Sequence, residues 1–443
     1  MIAAMDIGTT KICALAVDAD GRVIDELNAD TPYLPPEGPH AYIQDAGKIA
    51  DIAGEMLAAL KNKHGRIDCV GVSGQMHGIL YLNENGRAVS PLYTWQDGAG
   101  NLIYKDELTY AEYLNANGAR GMASGYGLAT HFYKLANGAA PAGAAKLCTI
   151  GDYIAMRLTG RKQPLIHATN AAGLGFFDGN GFMGGMLEKI GINPSMLPDC
   201  TDKTDVAGVA DGAAVAVAIG DNQAGFLGSV GDWEDSALAN IGTGSQISFA
   251  GGNETYELLE RRPFFEGKAL HVGACLCGGK AYALLESFFR GVVKMAGHET
   301  DGPLYAAMQK CLDAYGDVDP LPVDTRFDGT RKDPGVRGRI TNISLTNFNP
   351  GAMIAGFLNG IAAEMKHLLP VDVRKFSSLV ASGNGARKNP GLVQALSESF
   401  GIPVKIPLYP EEAAYGAALF AMAASGLTGG LEDARRFVRY RGE

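Results

Sequence analysis

One short pattern, present twice, limits what this chain can fold into more than any other feature. Near the start, Ala3-Ala4-Met5-Asp6-Ile7-Gly8-Thr9-Thr10 runs from an apolar strand through a polar residue into an Ile-Gly-Thr turn. Near the middle, Ala237-Leu238-Ala239-Asn240-Ile241-Gly242-Thr243-Gly244 echoes it. Each copy continues into a second strand with apolar alternation, Ile12 to Val17 in the first and from Gln246 in the second. A repeat at this position points to a duplicated domain. The length of 443 residues agrees, because a single hydrophobic core stops growing at about 250–300 residues. A boundary is expected at Val230-Gly231-Asp232, giving lobes of 1–230 and 231–443.

The first copy opens a meander of hairpins. Asp18-Ala19-Asp20-Gly21 turns the chain again, and Arg22 to Glu26 begins a third strand. A dinucleotide-binding fold would place a helix directly after the Gly-rich turn, so that fold is set aside. Gly47 to Lys61 has helical spacing, with Ile49, Ile52, Ala53, Met56 and Leu60 on one face, and Ile67 to Ser73 reads as a buried strand. Helices are expected again over Met353 to Leu369, Gly391 to Phe400 and Glu411 to Ser425. The last is rich in Ala and Gly and suited to close packing. The class is α/β.

A net charge of −10 argues against a nucleic-acid partner, which needs clustered Lys and Arg. The seven Cys have an odd count and irregular spacing, unlike a disulfide framework, and Cys275 and Cys277 read as buried strand thiols. No basic segment precedes the first strand and no apolar run reaches about 18 residues, so neither a secretory signal nor a membrane span is expected. A reduced, cytoplasmic setting follows as the default.

Six short stretches carry chemistry. In the paired turns, Gly8, Thr9, Thr10 and Lys11, and Gly242, Thr243 and Gly244, offer backbone N–H groups and hydroxyls to phosphates. Asp6 beside the first turn either caps it or meets Mg²⁺. Asp221, in Gly220-Asp221-Asn222-Gln223, stands where a strand meets a helix. It is either an N-cap or a base that takes the proton of an attacking hydroxyl. Ser73-Gly74-Gln75-Met76-His77-Gly78 ends a buried strand in a polar cluster fit for a polyol. Trp95 and Asp97 add an indole and a carboxylate, or else a core Trp and a surface Asp. Finally, Ser382-Gly383-Asn384-Gly385 leads a Gly-rich turn into a helix where an adenosine could lie.

Together these segments resemble the FGGY family of carbohydrate kinases, over nearly the whole chain. The resemblance rests on Asp6 to Thr10, Gln44-Asp45, Ser73 to Gly78, Trp95-Gln96-Asp97, Gly220-Asp221, Gly242 to Gly244, Phe327 to Arg331, Gly383-Asn384-Gly385 and Glu412 to Ala418. It implies the two-lobed, ribonuclease H-like fold of sugar kinases, actin and heat-shock ATPases, with a mixed five-stranded sheet in each lobe and a cleft between them. It implies ATP and Mg²⁺, with Asp6 and Asp221 toward the metal and Asp221 as base. Gln75, Met76, His77, Trp95, Asp97, Asp221 and Asn222 would hold the sugar, and Gly383, Asn384, Gly385 and Asn389 the nucleotide. Two departures stand out. Asn389 replaces the serine common in the adenosine loop, and the loop reads Ser-Gly-Asn-Gly.

Gln75-Met76-His77 is like ketose kinases rather than glycerol kinases. Thr94 to Gly98 and Gly125 to Thr130 look most like sedoheptulose kinases, with xylulose kinases next. The expected partners are a ketose and ATP, with a monomeric or homodimeric chain. The competing readings are a sugar-sensing pseudokinase without catalysis and an actin- or chaperone-like ATPase. The first lacks an N-terminal DNA-binding helix pair ahead of residue 6, and the polar Gln75-to-His77 cluster speaks against the second.

Overall fold

The first Ile-Gly-Thr copy makes the hairpin that its residues dictate. The computed structural model describes residues 1–315, 321–370 and 376–443. Strand β1 (Ile2–Ile7) runs antiparallel to β2 (Lys11–Val17), and the Gly8 N–H donates to the Lys11 carbonyl across the turn at 3.0 Å. A Cβ on Gly8 would stand 2.8 Å from that oxygen, so this turn excludes any side chain. β3 (Val23–Asp30) completes the meander. Helix α1 (Ala46–His64) follows. The Asp45 carboxylate caps it by accepting from the Lys48 N–H at 2.9 Å, and Lys61, Lys63 and His64 face the negative end of its dipole. Ile49, Ala53, Met56 and Leu60 bury its inner face in the sheet's core. β4 (Cys69–Gly74) then returns parallel to β1.

Further along, β5 (Val206–Ala210), β6 (Ala213–Ala216) and β7 (Ile219–Gly220) join this sheet, and helices α2 (Ile150–Thr159), α3 (Ala168–Leu174) and α4 (Asp221–Ser229) lie in the same part of the chain. The strand order is β5-β6-β4-β1-β2-β3, with β7 pairing β4 beyond the end of β6. The second sheet contains β8 (Ser236–Ile241), β9 (Ser245–Gly251), β10 (Glu260–Pro263), β11 (Ala269–Cys275), β12 (Ser378–Ser382) and β13 (Val404–Lys405), in the order β10-β11-β9-β8-β12-β13. Helices α5 (Gly278–Met295), α6 (Pro350–Leu368), α7 (Gly383–Lys388) and α8 (Pro390–Phe400) accompany it. Ile354, Phe357, Leu358, Ile361 and Met365 of α6 enter its core, as their spacing requires.

The duplication is written in the pairing. β3-β2-β1-β4-β6 and β11-β9-β8-β12-β13 share one order and one polarity: two antiparallel contacts, then two parallel ones. The mixed five-stranded sheet is thus the shared frame in each half. The full sheets are larger, with seven and six strands. The hairpin partner β5 and the short β7 extend the first, and β10 extends the second. Each covers an edge or bridges a strand end left open by the frame.

The chain forms two compact units. One contains residues 1–231, 263–268 and 411–438, and the other residues 232–262, 269–410 and 439–443. The C-terminal lobe therefore does not hold all of 231–443. Helix α9 (Glu412–Ala424) packs on β1, β4 and α4 of the first unit. Its apolar composition on every side follows from being covered on every side, and Ala414 to Met422 are all buried.

Close approach is what the small residues provide. A Cβ on Gly71 would lie 2.0 Å from the Ala417 carbonyl oxygen, one on Gly228 2.1 Å from that of Glu412, and one on Gly416 1.8 Å from that of Ala224. Among the described residues no helix is long and apolar enough to cross a membrane.

The α4–α9 contact gives a paired test on one helix. Gly228→Ala drives a methyl group into backbone and should cost about 1–3 kcal/mol or more. Gly225→Ala, where nothing lies within 4 Å, should be neutral or stabilising by up to about 1 kcal/mol. Urea unfolding midpoints of the two variants check this.

Candidate functional site

Three neighbouring parallel strands deliver the candidate residues of the first unit. Across β1, β4 and β7 the register aligns Asp6 with Ser73 and Ser73 with Ile219, then Ile7 with Gly74 and Gly74 with Gly220. The next residues of each strand therefore emerge together: Gly8 and Thr9 from β1, Gln75 to His77 from β4, Asp221 from β7. The carboxyl ends of parallel strands are where α/β sheets bind ligands, because the chain leaves the ladder there and its polar groups are not consumed by pairing.

Asp6 is the penultimate residue of β1 and is partly buried. Its Oδ1 accepts from Ser73 Oγ at 2.6 Å. Burial pushes its pKa up to about 6; the Ser73 bond and Lys11 oppose this, and Glu411 adds to it. Asp6 is thus no simple turn cap, since its bond runs to the neighbouring strand. Asp221 is the first residue of α4, and the N-cap position belongs to Gly220. The plain N-cap reading of Asp221 is accordingly set aside. One carboxylate oxygen accepts from the Asn222 N–H at 2.7 Å, and both residues keep partial exposure.

The Gln75–His77 segment is built differently from the expectation. Gln75 is 2% exposed, with its N–H on the Ile7 carbonyl at 2.9 Å and Nε2 donating to Gln44 Oε1 at 2.8 Å. Gln44, itself fully buried, donates from Nε2 to the Thr9 carbonyl at 2.7 Å. The two amides form a strut under the first turn, and Gln75 Oε1 keeps no hydrogen-bond partner among the described residues. Met76 is buried too, against Gly220, where a Cβ would come within 2.8 Å of its sulfur. His77 is the member that reaches outward. It is partly exposed and adopts φ 74°, a left-handed conformation costly for a side-chain-bearing residue. Its Nδ1 donates to the Gly173 carbonyl at 2.8 Å, and its ring lies 4.5 Å from that of Tyr126.

Trp95 and Asp97 reverse the plain readings of their residue types. Trp95 is 47% exposed rather than in the core, and its Nε1 donates to Thr9 Oγ1 at 2.8 Å. Asp97 is 3% exposed rather than on the surface. Its carboxylate accepts from the Ala99 N–H at 3.0 Å, and burial raises its pKa. Asp97 fixes the loop, and the indole is the part on offer. Thr9 meets both Gln44 and Trp95, which links the first turn to the segments that carry them. Thr31 Oγ1 holds the Gly8 carbonyl at 3.0 Å, and Lys11 is engaged by Glu411 at 2.7 Å. Local sequence gave no sign of either bond, because the partners lie far along the chain.

In the second unit, Gly242, Thr243 and Gly244 join β8 to β9, with Gly242 and Thr243 exposed. The start of α5 presses on this turn: the Gly279 N–H donates to the Gly242 carbonyl at 3.1 Å and the Lys280 N–H to the Thr243 carbonyl at 2.9 Å. Gly383 and Gly385 of α7 pack on Ile241, where their Cβ atoms would come within 2.6 Å and 2.5 Å of it, and Asn384 is exposed. Asn389 is spent elsewhere, since its side chain caps α8 by accepting from the Leu392 N–H at 3.0 Å.

Among the described residues no cluster of three His, Cys, Asp or Glu could hold a metal. Asp6, with one oxygen committed to Ser73, fits a divalent cation that arrives with phosphates and keeps its waters, not a protein-only cage. A surface hollow of about 680 Å³, lined by Gly47, Arg87, Tyr153, Arg157 and Arg161 among others, contains none of these candidate residues. The candidate residues of the first unit lie at the strand ends and in the segments next to them, apart from this hollow.

With this geometry in place, the comparisons identify the class. Residues 1–239 match the N-terminal domain, and residues 255–425 the C-terminal domain, of the FGGY family of carbohydrate kinases. The chain belongs to that family. It is 28% identical to a sedoheptulokinase of Mus musculus, covering 94% of this chain and 96% of that protein. It is 26% identical to a glycerol kinase of Petrotoga mobilis, covering 98% and 92%. The fold is that of solved kinases such as the ligand-bound xylulose kinase of Lactobacillus acidophilus, with a TM-score of 0.84 at 19% identity, covering 99% of this chain and 92% of that one.

Replacing Gln44 tests the strut. Gln44→Leu would leave the Gln75 amide and the Thr9 carbonyl without partners and should cost about 1–3 kcal/mol for each orphaned group. The urea midpoint reports the loss, and an unchanged midpoint would contradict the strut.

Proposed function

We propose that this carbohydrate kinase transfers the γ-phosphoryl group of ATP to the terminal primary hydroxyl of a ketose, converting sedoheptulose to sedoheptulose 7-phosphate. The observation that carries the reading is the common end of β1, β4 and β7, from which Asp6, His77 and Asp221 emerge together. The 28% identity to a sedoheptulokinase over nearly the whole length of both chains supports the sugar. The Gln75-Met76-His77 segment, like that of ketose kinases, supports it as well. D-Xylulose or another ketose is the alternative acceptor.

In this mechanism Asp221 accepts the proton of the sugar hydroxyl as that oxygen attacks the phosphorus. It also holds the hydroxyl in line with the leaving ADP oxygen. His77 and Asn222 orient the sugar, and the exposed Trp95 indole covers its carbon face. Gly8, Thr9 and Thr10, with Gly242, Thr243 and Gly244 in the second unit, bind phosphate oxygens through N–H and hydroxyl donors. Gly383, Asn384 and Gly385 bring backbone to the adenosine. Asp6, directly or through water, and Asp221 would hold Mg²⁺, which would supply charge neutralisation to the phosphates of bound ATP. Gln75, Met76 and Asp97 support the site from beneath.

Asp221→Asn should lower kcat by about 10²–10⁴-fold or more while sugar binding, measured by calorimetry, is kept. Near-normal turnover would refute the base. A coupled ADP assay over sedoheptulose, D-xylulose, other ketoses and glycerol should give sedoheptulose the highest kcat/KM. Glycerol at the top would overturn the ketose assignment.

A further inference from the structure

Helix α3 touches the strand that carries Asp221 through two side chains. Asn170 Nδ2 donates to the Ala218 carbonyl at 3.2 Å, and Thr169 Oγ1 accepts from the Gly220 N–H at 3.1 Å. Gly220 is the N-cap of α4, so its peptide orientation sets where the first helical residue, Asp221, begins. All of these groups are buried: Thr169 is 0% exposed, Asn170 2%, and Gly220 buried. Removing the hydroxyl would take this partner from the buried Gly220 N–H.

The hydroxyl's own orientation is fixed by His167. The Thr169 N–H donates to His167 Nδ1 at 3.2 Å, so that nitrogen bears no proton. Thr169 Oγ1 lies 2.9 Å from the same nitrogen and must therefore donate its hydrogen to it. The oxygen's lone pairs are left for Gly220. His167 is fully buried, with the Phe265 and Phe420 rings each 5.6 Å from its own, and burial pulls its pKa down to about 4. The neutral ring that the relay needs is the one its surroundings favour.

We propose that Thr169, oriented by His167, is a positioning residue that sets the Asp221 carboxylate through the Gly220 peptide. This inference rests on the reading of Asp221 as base. It gives a role to a segment, Ala168–Leu174, that holds none of the sugar- or phosphate-binding candidates.

Kinetics of the full-length chain test it, with ATP and the ketose of highest kcat/KM in the panel above. Thr169→Val, which keeps shape and loses the hydroxyl, should lower kcat about ten- to a hundred-fold, with KM for ATP unchanged. Thr169→Ser should restore kcat. Combined with Asp221→Asn, Thr169→Val should add no further loss, because both act on one group. Thr169→Ala serves if the valine variant does not fold. Unchanged kcat per folded molecule, a serine variant no better than valine, or full additivity with Asp221→Asn would overturn the proposal. If Asp221→Asn alone turns over normally, the base assignment fails. If that variant collapses while Thr169→Val does not, only the positioning role fails.

Discussion

The parallel register of β4 with β1 on one side and β7 on the other is the constraint from which the rest of the first unit follows. Side chains alternate across a strand, so a one-residue slip in either pairing would turn Asp6 or Ser73 to the opposite face of the sheet. The register is held by burial. β1 and β4 are almost wholly buried, as parallel strands covered on both faces must be. Helix α9 supplies one cover, and it reaches the sheet only because Gly71 has no side chain. The last part of the chain thus secures the alignment of its first residues.

The duplicated frame has diverged in how its two turns are braced. The first is held from beneath by side chains: Gln44 on the Thr9 carbonyl, Thr31 on the Gly8 carbonyl, Trp95 on the Thr9 hydroxyl. The second is held by main chain, through the N–H groups of Gly279 and Lys280. Side-chain braces connect a turn to particular residues elsewhere, whereas main-chain braces mainly require that a helix come close. Gly278 and Gly279 permit that approach, since a Cβ on either would meet the turn at 2.4 Å. The polar residue before each turn differs in the same sense. Asp6 brings a negative charge to the first turn, and Asn240 brings none to the second.

Local sequence was enough for parts of the shared frame, and the five-stranded sheet itself was legible only through the family resemblance. The Ile-Gly-Thr hairpins, α1 and α6 announce themselves through glycine turns and apolar spacing, all of which act within a few residues. Where the structure departs from the plain readings of residue type, contacts with particular partners decide, most of them far along the chain. The exposure of the Trp95 indole and the enclosure of Asp97 depend in part on Thr9 and Ser124, which lie far from them in the sequence. Nothing near Gln75 reveals that Gln44, far along the chain, takes its Nε2. Asn389 lies beside a Gly-rich loop, but the helix it caps begins one residue later. The extra sheet strands and the return of α9 to the first unit are also set by tertiary contacts.

The same division explains which polar residues are suited to chemistry. Asp97, Gln75 and Gln44 are deeply buried and hydrogen-bonded to the protein, with Gln75 Oε1 left without a partner among the described residues, so their ordering contributes to shape. His77, Trp95, Asp221 and Asn222 retain exposure, and His77 Nδ1, Trp95 Nε1 and the Asp221 carboxylate are each held by a hydrogen bond. His77 carries the further cost of a left-handed backbone, maintained by the Gly173 carbonyl and the Tyr126 ring. Strain held in place by surrounding bonds is hard to account for by stability alone. A rigid, buried amide layer beneath a small set of restrained, exposed groups is how a site limits the motion of the atoms that must meet a substrate.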